Sequence, residues 1–169
     1  MKKTLVLFAL LSVVATFAFA QDFSKDPAVG VWMSIDDDGK TPTGYWELYL
    51  KNGKLFGRMI YAIGESVDAK LSDLKTTPYE GHPLQTNLSV KPVIGTDLMW
   101  NMENKAPGQW VKGRIIDPKN GKMYYVKVVN NGNTLKMTGS LDKAGVLGRS
   151  QIWKKSSMER ALAAKAALE

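Results

Sequence analysis

From residue 29 onward the apolar residues come in short bursts with a period near two, each closed by turn-forming residues. That alternation restricts the chain to β structure. The spacing predicts strands at 29–35, 45–50, 55–62, 98–102, 109–116, 123–129, 134–139 and 148–153. Between them lie Asp36-Asp37-Asp38-Gly39, Lys51-Asn52-Gly53-Lys54, Asp117-Pro118-Lys119-Asn120-Gly121 and Asn130-Asn131-Gly132-Asn133. Asn-Gly is the strongest short hairpin signal, and the others are turn chemistry of the same kind. Eight short strands joined mostly by hairpins form an antiparallel meander, which hides its edges most simply by closing into a barrel.

Two segments interrupt the pattern. Residues 64–92 carry Pro78, Pro83 and Pro92 among polar residues, with a helical turn or two expected at 68–75. This is too long for a hairpin loop and is expected to lie over one end of the barrel or a pocket mouth. After the last strand, Ser156-Ser157-Met158-Glu159 matches a capping box and opens an alanine-rich helix. Met158 and Leu162 share a face that would dock it on the barrel; a frayed tail or a non-native remnant is the alternative.

The first twenty residues belong outside this fold. Lys2 and Lys3 precede an apolar run from Leu5 to Phe19 that ends in Ala18-Phe19-Ala20. A charged start, an apolar centre and a small-x-small close have the order of an export signal, and fifteen apolar residues fall short of the roughly 20 that span a bilayer. Cleavage is expected between Ala20 and Gln21, giving a barrel domain over 21–155, a tail over 156–169 and a periplasmic or extracellular location. Loss of Lys2 and Lys3 lowers the net charge from +7 to +5. The lysines are scattered through strands and turns rather than gathered into a stripe, so they read as solubilising, and no nucleic-acid partner is expected.

The catalytic signatures fail at identifiable residues. With no cysteine and only His82, thiolate chemistry, disulfides and histidine metal clusters are excluded. Gly64-Glu65-Ser66-Val67-Asp68 has Asp68 where a nucleophile elbow needs glycine. Ser34 replaces the first glycine of a phosphate-binding loop ending at Gly39-Lys40-Thr41. A calcium loop aligned on Gly39 puts Tyr45 at the glutamate position. His82, beside Gly81 and Pro83, reads as surface decoration, and carboxylate pairs such as Glu47 with Asp73 or Asp117 have nothing to bring them together. No catalytic residue, metal or cofactor is assigned.

Arginine is more informative. Gly57-Arg58, Gly113-Arg114 and Gly148-Arg149 fall within or at the start of predicted strands, in the similar words LFGRMI, VKGRII and VLGRSQ. Either the arginines sit at the rim with their stems on apolar surface, or one turns into the lumen as an anion clamp. Arg58, between Phe56 and Ile60 on its own face, is the better candidate. Arg114 is the weakest, because Val111 and Ile115 look like the core side of its strand.

Gly30-Val31-Trp32 opening the first strand and Gly148-Arg149 opening the last resemble the lipocalins and related calycins, in which a G-x-W tryptophan is covered by an arginine from the final strand. A fuller set resembles the exported bacterial family of unknown function DUF2147, over residues 29–154. It comprises Gly30, Trp32, Lys54-Leu55-Phe56-Gly57-Arg58, Lys91-Pro92-Val93-Ile94-Gly95, Trp110-Val111-Lys112-Gly113, Asp117-Pro118, Gly121-Lys122-Met123-Tyr124 and Gly148-Arg149-Ser150-Gln151-Ile152-Trp153. Lys154 stands where an arginine commonly follows the last tryptophan, and the usual Asn-Pro is missing from residues 73–83. The resemblance implies a lipocalin-like barrel in the bacterial envelope, with Trp32 buried near Arg149, and no established reaction.

The resulting expectation is an all-β, antiparallel eight-stranded barrel. Its lumen binds a small, partly apolar or anionic amphiphile through Arg58 or Arg149, with Trp46, Leu48, Met59 or Met137 lining the apolar body. The competing expectation is a filled barrel acting as a structural or protein-interaction module of the envelope.

Overall fold

The computed structural model describes residues 25–71, 81–83, 90–118 and 121–167. The export signal and residues 72–75 of the 68–75 turn, Asp73 among them, therefore lie outside the described residues. Eight strands follow in order: β1 (Gly30–Ile35), β2 (Pro42–Lys51), β3 (Lys54–Ala62), β4 (Asp97–Ala106), β5 (Gln109–Ile116), β6 (Met123–Asn130), β7 (Thr134–Ser140) and β8 (Gly148–Lys155). A helix, α1 (Met158–Ala166), comes last. Every strand pairs antiparallel with its chain neighbours, and β8 closes on β1.

Turn chemistry sets the register. Asn52 and Gly53 both have positive φ, 52° and 71°, as a two-residue hairpin requires. The β4–β5 hairpin turns through Pro107 and Gly108, a signal not used in the strand prediction, so β4 runs four residues beyond its predicted end. The connections at 52–53, 107–108 and 131–133 gather at one end of the barrel, and those at 36–41, 63–96, 117–122 and 141–147 at the other.

The first end is closed. Asp26 accepts hydrogen bonds from the backbone N–H groups of Ala28 and Gly108, both at 2.9 Å, and from Trp110 Nε1 at 3.0 Å. Trp32 is fully buried and donates its indole N–H to the Ala28 carbonyl at 2.9 Å. Leu48, Leu55, Met99, Met102, Trp110, Val128 and Leu135 are buried with it in one core.

Trp32 is not beside Arg149, as the calycin resemblance implied. In the ladder it lies opposite Lys155, whose ammonium sits 4.4 Å from the ring centroid. Arg149 is six residues away, at the opposite end of β8. A lysine thus takes the covering position, and burial lowers its pKa.

Strand parity also departs from simple alternation. Trp110 pairs with Val128 and Gly113 with Val126, so β5 carries one extra residue there, and Lys112 takes φ 60°. This bulge turns both Trp110 and Gly113 to the buried face and leaves Val111 half-exposed, contrary to the assignment of Val111 to the core.

The long 63–96 connection starts at the open end, and its other described parts lie against the barrel wall. Gly95 donates to the Met59 carbonyl at 2.8 Å. His82 is buried edge-on against Trp100, with ring centroids 4.5 Å apart. It is packing rather than surface decoration.

The helix cap is Ser157, whose side chain accepts from the Arg160 N–H. That is one residue later than the capping-box match. Ala161 is the residue it buries, while Met158 and Leu162 stay exposed.

Candidate functional site

Above the closed end the barrel is hollow. A cavity of about 950 Å³ opens between the 36–41, 117–122 and 141–147 connections. Its deep wall is formed by Trp46, Met59, Met137 and Trp153, with Ile115 and Tyr124 beside them. Trp46 and Trp153 stack at 5.4 Å with 26° between their planes. The buried indole N–H of Trp46 finds no acceptor among the described residues. Nearer the opening the lining turns polar, through Asp36, Glu65, Asp117, Arg149 and Gln151. Leu141, Val146 and Leu147 form an exposed apolar lip on the same rim.

Arg149, Gln151 and Trp153 alternate onto the inner face of β8 and form a chain of contacts. Arg149 Nη1 donates to Asp37 Oδ2 at 2.5 Å, and its Nη2 lies 3.9 Å from Asp117 Oδ2. Gln151 Nε2 donates to the other Asp37 oxygen at 2.9 Å, and Trp153 Nε1 donates to Gln151 Oε1 at 3.2 Å.

This network bridges the shortest ladder of the barrel. β1 and β8 pair at Trp32–Lys155 and Met33–Lys154, and above those residues Asp37 holds the two strands through side chains. Arg149 is therefore a charge already compensated by carboxylates rather than a bare anion clamp.

Four of the expected lining residues, Trp46, Met59, Met137 and Arg149, border the cavity, whereas Leu48 packs in the filled half. Arg58 does not face the lumen. Its Nε and Nη2 both lie 2.7 Å from Glu47 Oε2, and its guanidinium sits 5.1 Å from the Tyr49 ring centroid on the outer wall. The hydrogen bond to Glu47 raises its pKa.

The reason is Gly57. A Cβ there would stand 2.7 Å from Leu48 Cδ2 and 3.0 Å from Met99 Sδ, so the glycine is the inward residue and the arginine after it points out. Phe56, which made the arginine's face look like core, is buried on the outside under Tyr49 and Lys51. Gly113-Arg114 works the same way, since a Cβ on Gly113 would meet Met102 Cγ at 2.1 Å.

Of the other motif residues, Trp153 stacks in the deep wall, Asp117 lies on the rim, and positive φ is taken by Gly30 at the start of β1 and by Gly121 in the 117–122 connection. Asp37, Gln151 and Ile115 are part of the site and are not among the ligand-binding residues expected from the sequence, where Gln151 counts only as a motif residue and Ile115 only as the core side of its strand. Asp37 lay in a turn that looks merely solvated. Among the described residues no group of three or more His, Cys, Asp or Glu is placed to hold a metal ion, and no helix is long and apolar enough to cross a membrane.

The model of a family described as uncharacterized protein conserved in bacteria (DUF2147) matches residues 30–155, which is the whole barrel. Among solved structures, protein HP1028 from the human pathogen Helicobacter pylori, described as belonging to the lipocalin family, superposes with a TM-score of 0.65. The two share 24% identity over 82% of this chain and 88% of the other, a likeness of fold. No curated protein matches the chain in sequence.

Proposed function

The chain belongs to the DUF2147 family, and on that premise we propose that it is an exported carrier that holds a small amphiphile in the open half of its barrel. The observation that carries this reading is the cavity of about 950 Å³, apolar at depth and polar at its mouth. Its size and its graded lining are those of small-molecule sites. The apolar body of a ligand rests on Trp46, Met59, Met137 and Trp153, and its polar end stays near Gln151, Asp117 and Arg149. Because Asp37 and Asp117 already flank Arg149, an uncharged head group suits the mouth at least as well as an anionic one. The filled-barrel module fits less well, since the side chains fill only the closed half.

The test is equilibrium titration of the purified protein with the uncharged dye N-phenyl-1-naphthylamine and with palmitate, read by dye emission and by tryptophan quenching. Micromolar binding is expected, weakened at least about tenfold by Met137→Trp, which fills the lumen, and unchanged by Arg58→Ala. Uptake of neither probe would overturn the carrier reading. For export, the intact mass of protein recovered from the periplasm should correspond to a chain starting at Gln21, and a mass retaining Phe17 to Ala20 would refute that start.

A further inference from the structure

The strands β5 to β8 contain no Asp or Glu. Along the sequence their basic residues look scattered, but the sheet register aligns four of them. Arg114 is paired with Tyr125, two residues from Lys127. Lys127 is paired with Thr138, two residues from Lys136. Lys136 is paired with Ile152, two residues from Lys154.

Each basic residue is thus the diagonal neighbour of the next on the outer face, with roughly 7–8 Å between their Cα atoms, and each step descends toward the closed end. The result is one continuous ridge of four positive charges, one per strand. None of the four makes an ion pair among the described residues, whereas Arg58, Lys51, Lys54, Lys112 and Arg149 all do. Lys127, Lys136 and Lys154 are exposed, Arg114 lies flat on Tyr125 at 3.5 Å from the ring centroid, and Ile152 is exposed within the ridge.

We propose that this ridge is a binding track for a flexible linear polyanion, a chain bearing phosphate, sulfate or carboxylate groups at intervals near the ridge spacing. The curvature of the barrel selects a chain over a plane. Three strand-to-strand steps around a closed eight-stranded barrel cover roughly 135° of its circumference. A flat bilayer touches at most part of such an arc, and a flexible chain can follow all of it. The partner is distinct from the lumen ligand, because all four side chains point away from the cavity.

The test is isothermal titration of the whole protein with long-chain polyphosphate and, separately, with polygalacturonate, which distinguishes phosphate from carboxylate as the anionic group. Binding of either is expected, with log K falling against log salt at a slope near −3, or about −0.7 for each of four neutralised charges. The Lys127→Gln/Lys136→Gln pair should weaken it roughly tenfold at 0.15 M salt and about halve the slope. Lys40→Gln/Lys143→Gln removes the same charge from the exposed open-end connections and should leave binding within about twofold. All four lysines are exposed, so both variants should keep the wild-type circular dichroism.

Equal losses in the two variants would mean a net-charge effect and overturn the track, as would no binding of either polymer. Ridge-dependent binding to phosphatidylglycerol vesicles without binding to the polymers would overturn the chain in favour of a membrane surface.

Discussion

Trp32 and His82 show how single buried side chains hold the ends and walls of this barrel. Trp32 combines a fully buried ring, a satisfied indole N–H and a cation over its face. Trp32→Ala should therefore cost about 3–5 kcal/mol in urea melts, the range for a core aromatic. Lys155→Ala removes the cation and should cost about 0.5–2 kcal/mol, the scale of a cation–π contact. A ranking reversed between the two would show that the ring is held by its cover.

His82 is buried with its Nε2 2.5 Å from the Asp97 carbonyl, which fixes the neutral tautomer with the proton on Nε2. Desolvation by burial lowers its pKa. The folded state therefore binds fewer protons than the unfolded state as pH falls below the unfolded value near 6.5. The contribution of His82 to stability is complete above that pH and is lost as pH drops from about 6.5 toward the folded pKa. Urea melts at pH 7.5 and 5.5 should show a loss in the wild type that is smaller in His82→Gln, once general acid effects common to both are subtracted.

At the scale of strands and turns, Gly57-Arg58 and Gly113-Arg114 are inward glycines followed by outward arginines, whereas in Gly148-Arg149 the arginine is the inward residue, and substitution in the first two should separate accordingly. Gly113→Ala forces a methyl group against Met102 and Val126 and should destabilise by about 1–3 kcal/mol, the usual cost of overpacking. Arg58→Ala removes an exposed pair and should change stability by less than about 1 kcal/mol in the same melts.

The seam between β1 and β8 makes a different prediction. Asp37→Asn should scarcely alter global stability, since it weakens exposed contacts, yet it should speed amide exchange in the upper part of β8 while exchange at Trp32 stays slow.

These elements also show what the sequence carried. The strand alternation and the Asn-Gly, Asp-Pro and Asn-Asn-Gly turns are local signals, and they placed all eight strands. Val111 was assigned to the wrong side because the bulge at Lys112 shifts parity, and a bulge is set by packing across strands. Arg58 reads as the better lumen candidate because apolar Phe56 and Ile60 flank it on its own face, but Phe56 is buried on the outside of the barrel. The latch at Asp37 and the ridge from Arg114 to Lys154 depend on register between segments far apart in sequence, which one-dimensional spacing does not contain.

At the scale of the whole molecule, the barrel divides into a half filled by tryptophans, leucines and methionines and a half that is hollow. The filled half is tied by Asp26, whereas the hollow half relies on the short β1–β8 ladder and the Asp37 network. A ligand in the lumen adds contacts to the less well-held half alone. An uncharged amphiphile present at 100 times its Kd should raise the unfolding free energy by about 2.7 kcal/mol if it binds the native state alone. The protection it gives should also be uneven. Amide exchange should slow at Met59, Met137, Gly139, Gln151 and Trp153, around the cavity, and stay unchanged at Ala28, Trp32, Trp110 and Val128 near the closed end. Exchange followed by mass spectrometry with and without N-phenyl-1-naphthylamine reads both regions in one experiment. Protection spread evenly over the two halves would mean that the dye stabilises the protein from outside the cavity, and protection confined to the open half would place it in the lumen.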